Sequence, residues 1–143
     1  FSMLAHTAIR EGEVAINHIV GGSDDRMRYD SVPAVVYMHP EIAGVGATEE
    51  KLRTEGRYYR VLKLPMAYAG RYVVENEQAP GLCKVLVDEN DTILGCHILG
   101  NPASELILLA GIAVTDRSSI EDFRRHIFPH PTAGEILHEV LFS

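Results

Sequence analysis

The stretch that decides the fold is residues 82–100, LCKVLVDENDTILGCHILG. It contains two runs of aliphatic and β-branched residues on either side of a polar segment, residues 88–91. Short apolar runs flanking an Asp- and Asn-rich segment are typical of two strands joined by a tight turn. The stretch therefore predicts an antiparallel β-hairpin.

The register of this hairpin follows from where its turn lies. A turn centred on residues 89–90 pairs Val87 with Thr92 and places Cys83 directly opposite Cys96. Directly opposed residues have Cβ atoms about 4.5–5.5 Å apart, so we expect adjacent thiols. Two cysteines without C-x-x-C spacing are too few for a disulfide scaffold or a zinc site, and we expect them to be reduced and buried.

Strand and helix patterns flank the hairpin. Strand patterns cover residues 32–38, 57–65 and 71–74, and a short helix over residues 48–55 has Thr48 as its N-cap. Further helices are predicted over residues 2–20, 102–115, 119–126 and 132–142, with starts at Asn101-Pro102, Ser119 and Thr132. Strands first and helices after, without βαβ alternation, predict an α+β fold in which helices cover an antiparallel sheet.

Composition excludes several classes of function. The 143 residues carry a net charge of −7, contain no Trp, and have at most two consecutive basic residues, which argues against nucleic-acid binding. The longest apolar run, residues 106–114, is too short to span a bilayer, and no signal-peptide pattern is present, so a soluble, non-exported protein is expected. A helix this apolar leaves open burial against a second subunit.

The candidate catalytic residues are concentrated in residues 127–143, IFPHPTAGEILHEVLFS. His130 lies between Pro129 and Pro131, which present the imidazole on a stiff turn. A carboxylate bonded to one ring nitrogen would leave the other free for proton transfer, and Glu135 is the natural partner. However, Thr132 and Glu135 also form the T-x-x-E pattern of a capping box, in which Glu135 has a purely local role.

Other histidines support weaker hypotheses. Five potential metal ligands lie within fourteen residues: His126, His130, Glu135, His138 and Glu139. Pro129 prevents an i, i+4 pairing of the first two, and H-E-x-x-H is absent, so no metal site is expected. His97 lies in a strand among apolar residues, where a hydrogen-bonded core histidine is usual.

Three segments carry a family resemblance: residues 32–52, VPAVVYMHPEIAGVGATEEKL; residues 81–107, GLCKVLVDENDTILGCHILGNPASELI; and residues 130–142, HPTAGEILHEVLF. Together they resemble the C-terminal dimerisation domain of the flavoprotein disulfide reductases, most closely the dihydrolipoamide dehydrogenases. The resemblance implies three parts. Residues 1–22 are the last helix of the FAD-binding domain, residues 23–31 are a linker, and residues 32–143 are the dimerisation domain.

The resemblance also implies roles for individual residues. His130 would reach the flavin and redox disulfide of the other subunit and act as the acid–base catalyst, with Glu135 orienting it. The His130-Pro131 unit would contact the flavin ring. The backbone of four residues at the start of the first helix would lie beside the flavin of its own subunit: Met3, Leu4, Ala5 and His6. Many relatives carry a second histidine where this chain has Phe128.

These roles imply a homodimeric parent that uses FAD and NAD to oxidise dihydrolipoamide. Its partners would be a lipoyl domain and a 2-oxo acid dehydrogenase complex, in the cytoplasm or, for a eukaryotic source, the mitochondrial matrix. The cofactor domains and the redox disulfide are not in this chain, so we expect the fragment alone to bind no cofactor and to be inactive. Two alternatives stay open: a glutathione-reductase-like sibling, or a self-contained domain that uses the His/Glu cluster to bind metal or catalyse hydrolysis.

Overall fold

A computed structural model describes residues 2–22, 24–77 and 79–143. In these residues, five strands form one antiparallel sheet in the order β1-β2-β5-β4-β3. The strands are β1 (Ala34–Val36), β2 (Ile42–Gly46), β3 (Arg60–Pro65), β4 (Leu82–Val87) and β5 (Ile93–Leu99). The helices are α1 (Ala5–Ile19), α2 (Glu49–Thr54), α3 (Gly70–Glu75), α4 (Ala103–Asp116), α5 (Ile120–Arg124) and α6 (Ile136–Glu139). The predicted α+β class is confirmed. Residue 1 of the predicted first segment and residue 23 of the predicted linker lie outside the described residues.

The β4–β5 hairpin forms, but its turn is longer than predicted. The Asp88 carboxylate accepts the backbone N–H groups of Asn90 at 2.9 Å and Thr92 at 2.8 Å. The Asp88 N–H in turn donates to the Thr92 carbonyl at 3.1 Å. Asp91 has a φ of 62°, the left-handed conformation that commonly closes a three-residue hairpin loop. The prediction of a turn centred on residues 89–90 is therefore wrong.

The longer turn and a bulge beside it change the neighbours of the two cysteines. Cys83 lies opposite Ile98, and Cys96 lies opposite Val85, so the predicted direct opposition is also wrong. The two thiols are diagonal neighbours on one face of the sheet, and both are free and buried as expected. A hydrogen bond with Cys83, together with burial, raises the pKa of the Cys96 thiol well above its ordinary value.

Strand β2 was missed by the sequence patterns because it is rich in glycine. Gly44 pairs with His97 of β5, and a Cβ atom at Gly44 would lie 3.0 Å from Cδ2 of that ring. Gly46 has a φ of +80°, and its Cβ would lie 2.3 Å from the Leu94 carbonyl oxygen. Glycine within a strand often marks such a close approach, and here it allows β2 to pack between β1 and β5 inside the sheet.

The predicted strand at residues 71–74 is instead helix α3. Tyr72 is buried and its hydroxyl donates to the Pro80 carbonyl, whereas Val74 is exposed. Arg71 and Glu75 form an ion pair at the i, i+4 spacing, which stabilises a helix but has no counterpart in a strand. The buried Tyr72 side chain and this ion pair together outweigh the strand propensity of Val73 and Val74.

One face of the sheet carries the hydrophobic core. Helix α4 packs on β2 and β5, and the 3₁₀ turn Val140–Phe142 packs on β3 and β4. The most deeply buried side chains in this layer include Ala43, Cys83, Val87, Cys96, Ile98, Ile107, Ala113, Ile136 and Val140. On the opposite face, Glu49 of α2 forms an ion pair with Lys84 at 2.8 Å.

Helix α4 begins differently from the prediction. Its N-cap residue is Pro102, and the free N–H of Ser104 donates to a Glu41 carboxylate oxygen at 2.8 Å. The Asn101 side chain accepts from the Glu41 N–H at 2.9 Å and donates to His39 Nδ1 at 2.9 Å. Asn101 is therefore not the cap, because a carboxylate from a distant loop takes that place. The predicted caps at Thr48 and Ser119 are confirmed.

His97 is not the hydrogen-bonded core histidine expected from its surroundings. Its Nδ1 atom is buried and has no hydrogen-bond partner among the described residues. Burial, together with the nearby Lys84 ammonium group, lowers the pKa of His97. The folded chain therefore favours the neutral imidazole more than the unfolded chain does.

This shift predicts a pH dependence of stability. Because the folded pKa of His97 is depressed, its contribution to stability is fully present above the ordinary histidine pKa of about 6.5. That contribution is lost as the pH falls through the lower folded value. We expect His97→Gln to flatten the decline in Tm between about pH 7 and pH 5. His18→Gln, at an exposed position on α1, is the control, and an equally steep decline in both variants would contradict the expectation.

Candidate acid–base site and family

The C-terminal segment brings His130 and Glu135 together. His130 Nδ1 lies 2.7 Å from Glu135 Oε1. The second oxygen, Oε2, accepts the backbone N–H of Thr132 at 2.8 Å. The sequence left open whether Glu135 orients the histidine or belongs to a capping box, and in the structure it makes both contacts at once.

Local structure explains why these side chains are held in place. The Thr132 hydroxyl donates to the Pro129 carbonyl at 2.8 Å, which closes the turn that carries His130. Glu135 ends a 3₁₀ turn, Ala133–Glu135, that continues directly into α6. At the start of α6, Ile136 is completely buried. The carboxylate therefore projects from a backbone that is anchored in the core.

Exposure and charge decide what this pair can do. The His130 side chain is 82% exposed, whereas that of Glu135 is only 20% exposed. The hydrogen bond from the Thr132 N–H, and to a smaller extent that from His130, lowers the pKa of Glu135. This side chain is therefore an ionised, acceptor-only carboxylate at neutral pH. His130 must then donate through Nδ1–H, and in its neutral form Nε2 is left as an outward-facing base. This arrangement can transfer a proton to or from a group outside the chain.

A cluster of aromatic side chains lies on the same C-terminal segment as the site. The His138 ring lies between the Phe128 ring, at 5.3 Å between centroids, and the Phe142 ring, at 5.1 Å. The Arg124 guanidinium lies 3.9 Å from the centroid of Phe142 and donates to the Leu141 carbonyl. The sequence reasoning did not find this cluster, and the only hint was the spacing of aromatic residues along residues 123–142.

Nothing in the described ranges forms a metal-ligand set of three or more His, Cys, Asp or Glu side chains. Besides the bonded His130–Glu135 pair, His126 and His138 also make contacts within the chain. The His126 ring Nδ1 is 3.1 Å from the Phe123 carbonyl, and His138 is packed between aromatic rings. The metal-binding alternative thus has no ligand set in this part of the molecule.

The four residues at the start of α1 are all exposed. Met3 is fully exposed, and Leu4 is the N-cap residue, with no side-chain cap and no acidic residue in the first turn among the described residues. The His6 ring is already occupied, since Nε2 donates to the Pro33 carbonyl at 2.8 Å. No hydrogen bond or ion pair within the described residues joins Met3, Leu4, Ala5 or His6 to His130. No side chain of the described residues caps the N-terminal N–H groups of α1, so these groups can donate to an acceptor from outside the chain.

Helix α4 leaves part of its apolar surface uncovered. Leu108, Leu109 and Ile112, the outer stripe of α4, are 61%, 39% and 51% exposed. The opposite side of the helix is buried against the sheet. Beside the stripe, Pro33 and Thr115 help to line a shallow cavity of about 210 Å³. Three large apolar side chains on one helical face are typical of a surface that packs on another protein.

Residues 32–141 match the family model described as "Pyridine nucleotide-disulphide oxidoreductase, dimerisation domain". The chain belongs to this dimerisation-domain family. The matched region runs from just before β1 to the last 3₁₀ turn, so it includes the whole sheet, the outer stripe of α4 and the His130–Glu135 pair.

Known relatives agree with this membership. Over 143 residues, the chain is 47% identical to mitochondrial dihydrolipoyl dehydrogenase 1 of Arabidopsis thaliana, covering 99% of this chain and 28% of that protein. The crystal structure of LpdA from Mycobacterium tuberculosis has a TM-score of 0.90 and 25% identity over 97% of this chain and 30% of its own. The flavoprotein disulfide reductase RclA from Escherichia coli has a TM-score of 0.84 and 25% identity, over 99% and 33% of the two chains. The chain therefore spans less than a third of the relatives that it matches.

Proposed function

We propose that this dimerisation domain belongs to a homodimeric dihydrolipoyl dehydrogenase and supplies a His130–Glu135 acid–base pair to the partner subunit. The observation that carries the proposal is the exposed imidazole whose Nδ1 is bound to a carboxylate 2.7 Å away. An outward-facing base held by an anchored carboxylate is suited to a substrate that comes from beyond its own chain.

Proton transfer at Nε2 is the chemical role of His130 in this proposal. A dithiol substrate must lose a proton to form the nucleophilic thiolate, and neutral His130 accepts that proton at Nε2. The resulting imidazolium is stabilised by the ionised Glu135 through the Nδ1–H bond. The same nitrogen returns the proton in the reverse direction, so one positioned group serves as both base and acid.

FAD and NAD belong to the proposed parent, and the fragment itself binds neither. The uncapped N-terminus of α1, at Met3, Leu4, Ala5 and His6, fits the edge of a flavin, because its free N–H groups and the helix dipole favour negative charge. His130 and Pro131 would contact the flavin of the partner subunit. When bound, FAD accepts the electrons of the dithiol and passes them to NAD.

The domain boundaries proposed for the parent assign residues 1–22 to the FAD-binding domain, 23–31 to a linker and 32–143 to dimerisation. Two observations support this division. The family match starts at residue 32. On α1, Ile9, Ile16 and Ile19 are exposed, which is expected of a helix whose apolar side packs on a domain outside this chain.

The proposed partners are a second copy of the parent and, through dihydrolipoamide, the lipoyl domain of a 2-oxo acid dehydrogenase complex. The outer stripe of α4 is the surface assigned to the second copy. Among the described residues, no helix is long and apolar enough to cross a membrane. We place the parent in the mitochondrial matrix if its source is eukaryotic and in the cytoplasm otherwise. The Arabidopsis relative is named as mitochondrial.

Variants of Glu135 in the full-length parent test this proposal. Glu135→Gln keeps an amide oxygen for the Thr132 N–H, as capping boxes allow, but loses the charge that stabilises the imidazolium. We expect it to retain its Tm and to lose about tenfold in the rate of dihydrolipoamide-driven NAD reduction. Glu135→Ala should lose the rate and also about 1 kcal/mol of stability from the cap.

Glu139→Gln is the matched control, because it removes the same charge four residues away, where Glu139 approaches His138 rather than His130. Its rate should equal that of the native enzyme. A fully active Glu135→Gln enzyme would show that Glu135 is only a cap, and the acid–base proposal would then be wrong.

A further inference from the structure

A polar cleft lies between the C-terminal end of α4, the start of β5 and the β2–α2 connection. It has a volume of about 460 Å³. Four cations and two carboxylates line it, which gives a local net charge of 4 − 2 = +2 on a chain of net charge −7. The charged lining residues are Arg28, Lys51, Arg57 and Arg117, with Asp30 and Asp88.

The two carboxylates are already engaged within the fold. Asp30 accepts from Arg28 at 3.2 Å, and this contact lowers the pKa of the Asp30 carboxyl. Asp88 accepts two backbone N–H groups of the hairpin turn. Both acidic groups therefore have a structural reason to be present, and neither neutralises the remaining cations at close range.

The four cations differ in how strongly they are bound by other groups of the chain. Arg28 donates to the Thr115 carbonyl at the C-terminal end of α4, so it has a structural role. Lys51 and Arg57 come within only 4.0 Å and 3.8 Å of Glu55, at the outer limit of an ion pair. Arg117 makes no side-chain hydrogen bond or ion pair to any described residue, although its field acts on Asp30.

Arg117 also has an unusual backbone. It is the C-cap residue of α4, with a left-handed φ of 54°, a position where glycine is strongly preferred because other residues are strained there. Arginine is therefore a poor choice for the stability of the helix end. What it adds is a guanidinium group in the lining of the cleft, which Lys51 and Arg57 of another segment also line.

We propose that this cleft binds a small phosphorylated anion. A guanidinium fork matches the oxygens of a phosphate group, and cations from two segments, Arg117 on one and Lys51 and Arg57 on the other, line the same cleft. Ile93, Leu94 and Val114 form an apolar part of the wall, which suits the organic portion of a phosphate ester. The site is distinct from the His130–Glu135 pair and goes beyond the proposed reductase function.

Arg117→Gly in the full-length parent separates binding from stability. The probe is inorganic phosphate, titrated against chloride at constant ionic strength, with Tm and calorimetric binding as readouts. We expect the native Tm to rise saturably with phosphate. In Arg117→Gly the apparent Kd should increase about tenfold or more, as for a lost hydrogen bond to a charged group, while the Tm without phosphate should equal or exceed the native value.

Two further variants keep the test decisive. Glu77→Gly relieves another positive φ, 48°, outside the cleft and should keep the native phosphate response. Lys51→Gln should weaken phosphate binding without any change of backbone strain. Dihydrolipoamide oxidation should be unchanged in Arg117→Gly and Lys51→Gln, so this result is independent of the proposed reductase function. Absence of saturable phosphate binding, or equal binding by the native enzyme and both cleft variants, would overturn the proposal.

Discussion

Dihydrolipoamide-driven NAD reduction by the full-length parent is expected to fall by roughly 10²–10⁴-fold when His130 is replaced by alanine. The Nε2 of His130 is the outward-facing base that the Glu135 carboxylate sets in place, and alanine offers no substitute for it. The stability of the domain should change little, because the imidazole is 82% exposed and contributes little to packing.

The decisive readout for His130 is a comparison of two reactions of the same enzyme. Electron flow from NADH through FAD to an artificial acceptor requires no proton from a thiol, so His130→Ala should largely spare it. His126→Ala, which removes a histidine of the same segment whose ring contacts the Phe123 carbonyl, should leave both rates unchanged. If His130→Ala slowed both reactions equally, or neither, the histidine would be structural.

The contact between His130 and Glu135 was predictable because it is local. His130 and Glu135 are five residues apart, and the intervening T-x-x-E pattern favours the turn that brings the carboxylate back. The sequence could not decide between orientation and capping, because each needs one oxygen of the same carboxylate. Only the geometry shows that Oε1 and Oε2 are divided between the two contacts.

Two of the wrong predictions, the cap of α4 and the missed strand β2, depend on contacts between distant segments. The N-terminal cap of α4 comes from Glu41, about sixty residues before Ser104, and no pattern near Asn101 could indicate it. Strand β2 is stabilised by its close approach to β5, where Gly44 pairs with His97. Local strand propensity takes account only of the glycines, which disfavour a strand.

The predicted turn was too short by one residue, and this small error affects the pairing along the whole hairpin. One extra residue in the loop, set by the Asp88 carboxylate and the left-handed Asp91, and the bulge between Leu86 and Val87 together shift the pairing of Cys83 by two positions. Register in a hairpin is fixed by turn geometry as much as by the hydrophobic pattern. The core face was nevertheless predicted correctly for Cys83 and Cys96, because both cysteines remain on that face.

The apolar character of α4 was evident from the sequence, but not which of its sides faces outwards. The sheet covers the side that includes Ile107, Ala110 and Val114. The outer stripe remains on the other side, within the region matched to the dimerisation-domain family. Burial of this stripe against a second copy would give the apolar interface expected of an obligate dimer.

Ile112→Glu in the outer stripe is therefore expected to convert the parent from dimer to monomer. Burying an unpaired carboxylate in an apolar interface costs several kcal/mol, which shifts the equilibrium from dimer towards monomer. The fold itself should survive, because Ile112 is 51% exposed within this chain, and the circular dichroism spectrum should be unchanged. Dihydrolipoamide oxidation should fall together with the fraction of dimer, since His130 is proposed to serve the partner subunit.

Sedimentation equilibrium at tens of micromolar, where interfaces of this kind normally hold, measures the effect. The native parent, and the isolated 143-residue chain, should be dimeric, and Ile112→Glu should be monomeric. Val74→Glu is the matched control, since Val74 is an apolar residue that is 80% exposed on α3, and it should remain dimeric and active. A dimeric, active Ile112→Glu enzyme would place the interface on another surface, and a monomeric native protein would contradict the homodimer itself. If Ile112→Glu instead loses both its activity and its ability to dimerise, the two proposals support each other. The acid–base pair is proposed to act only in the site of a second subunit.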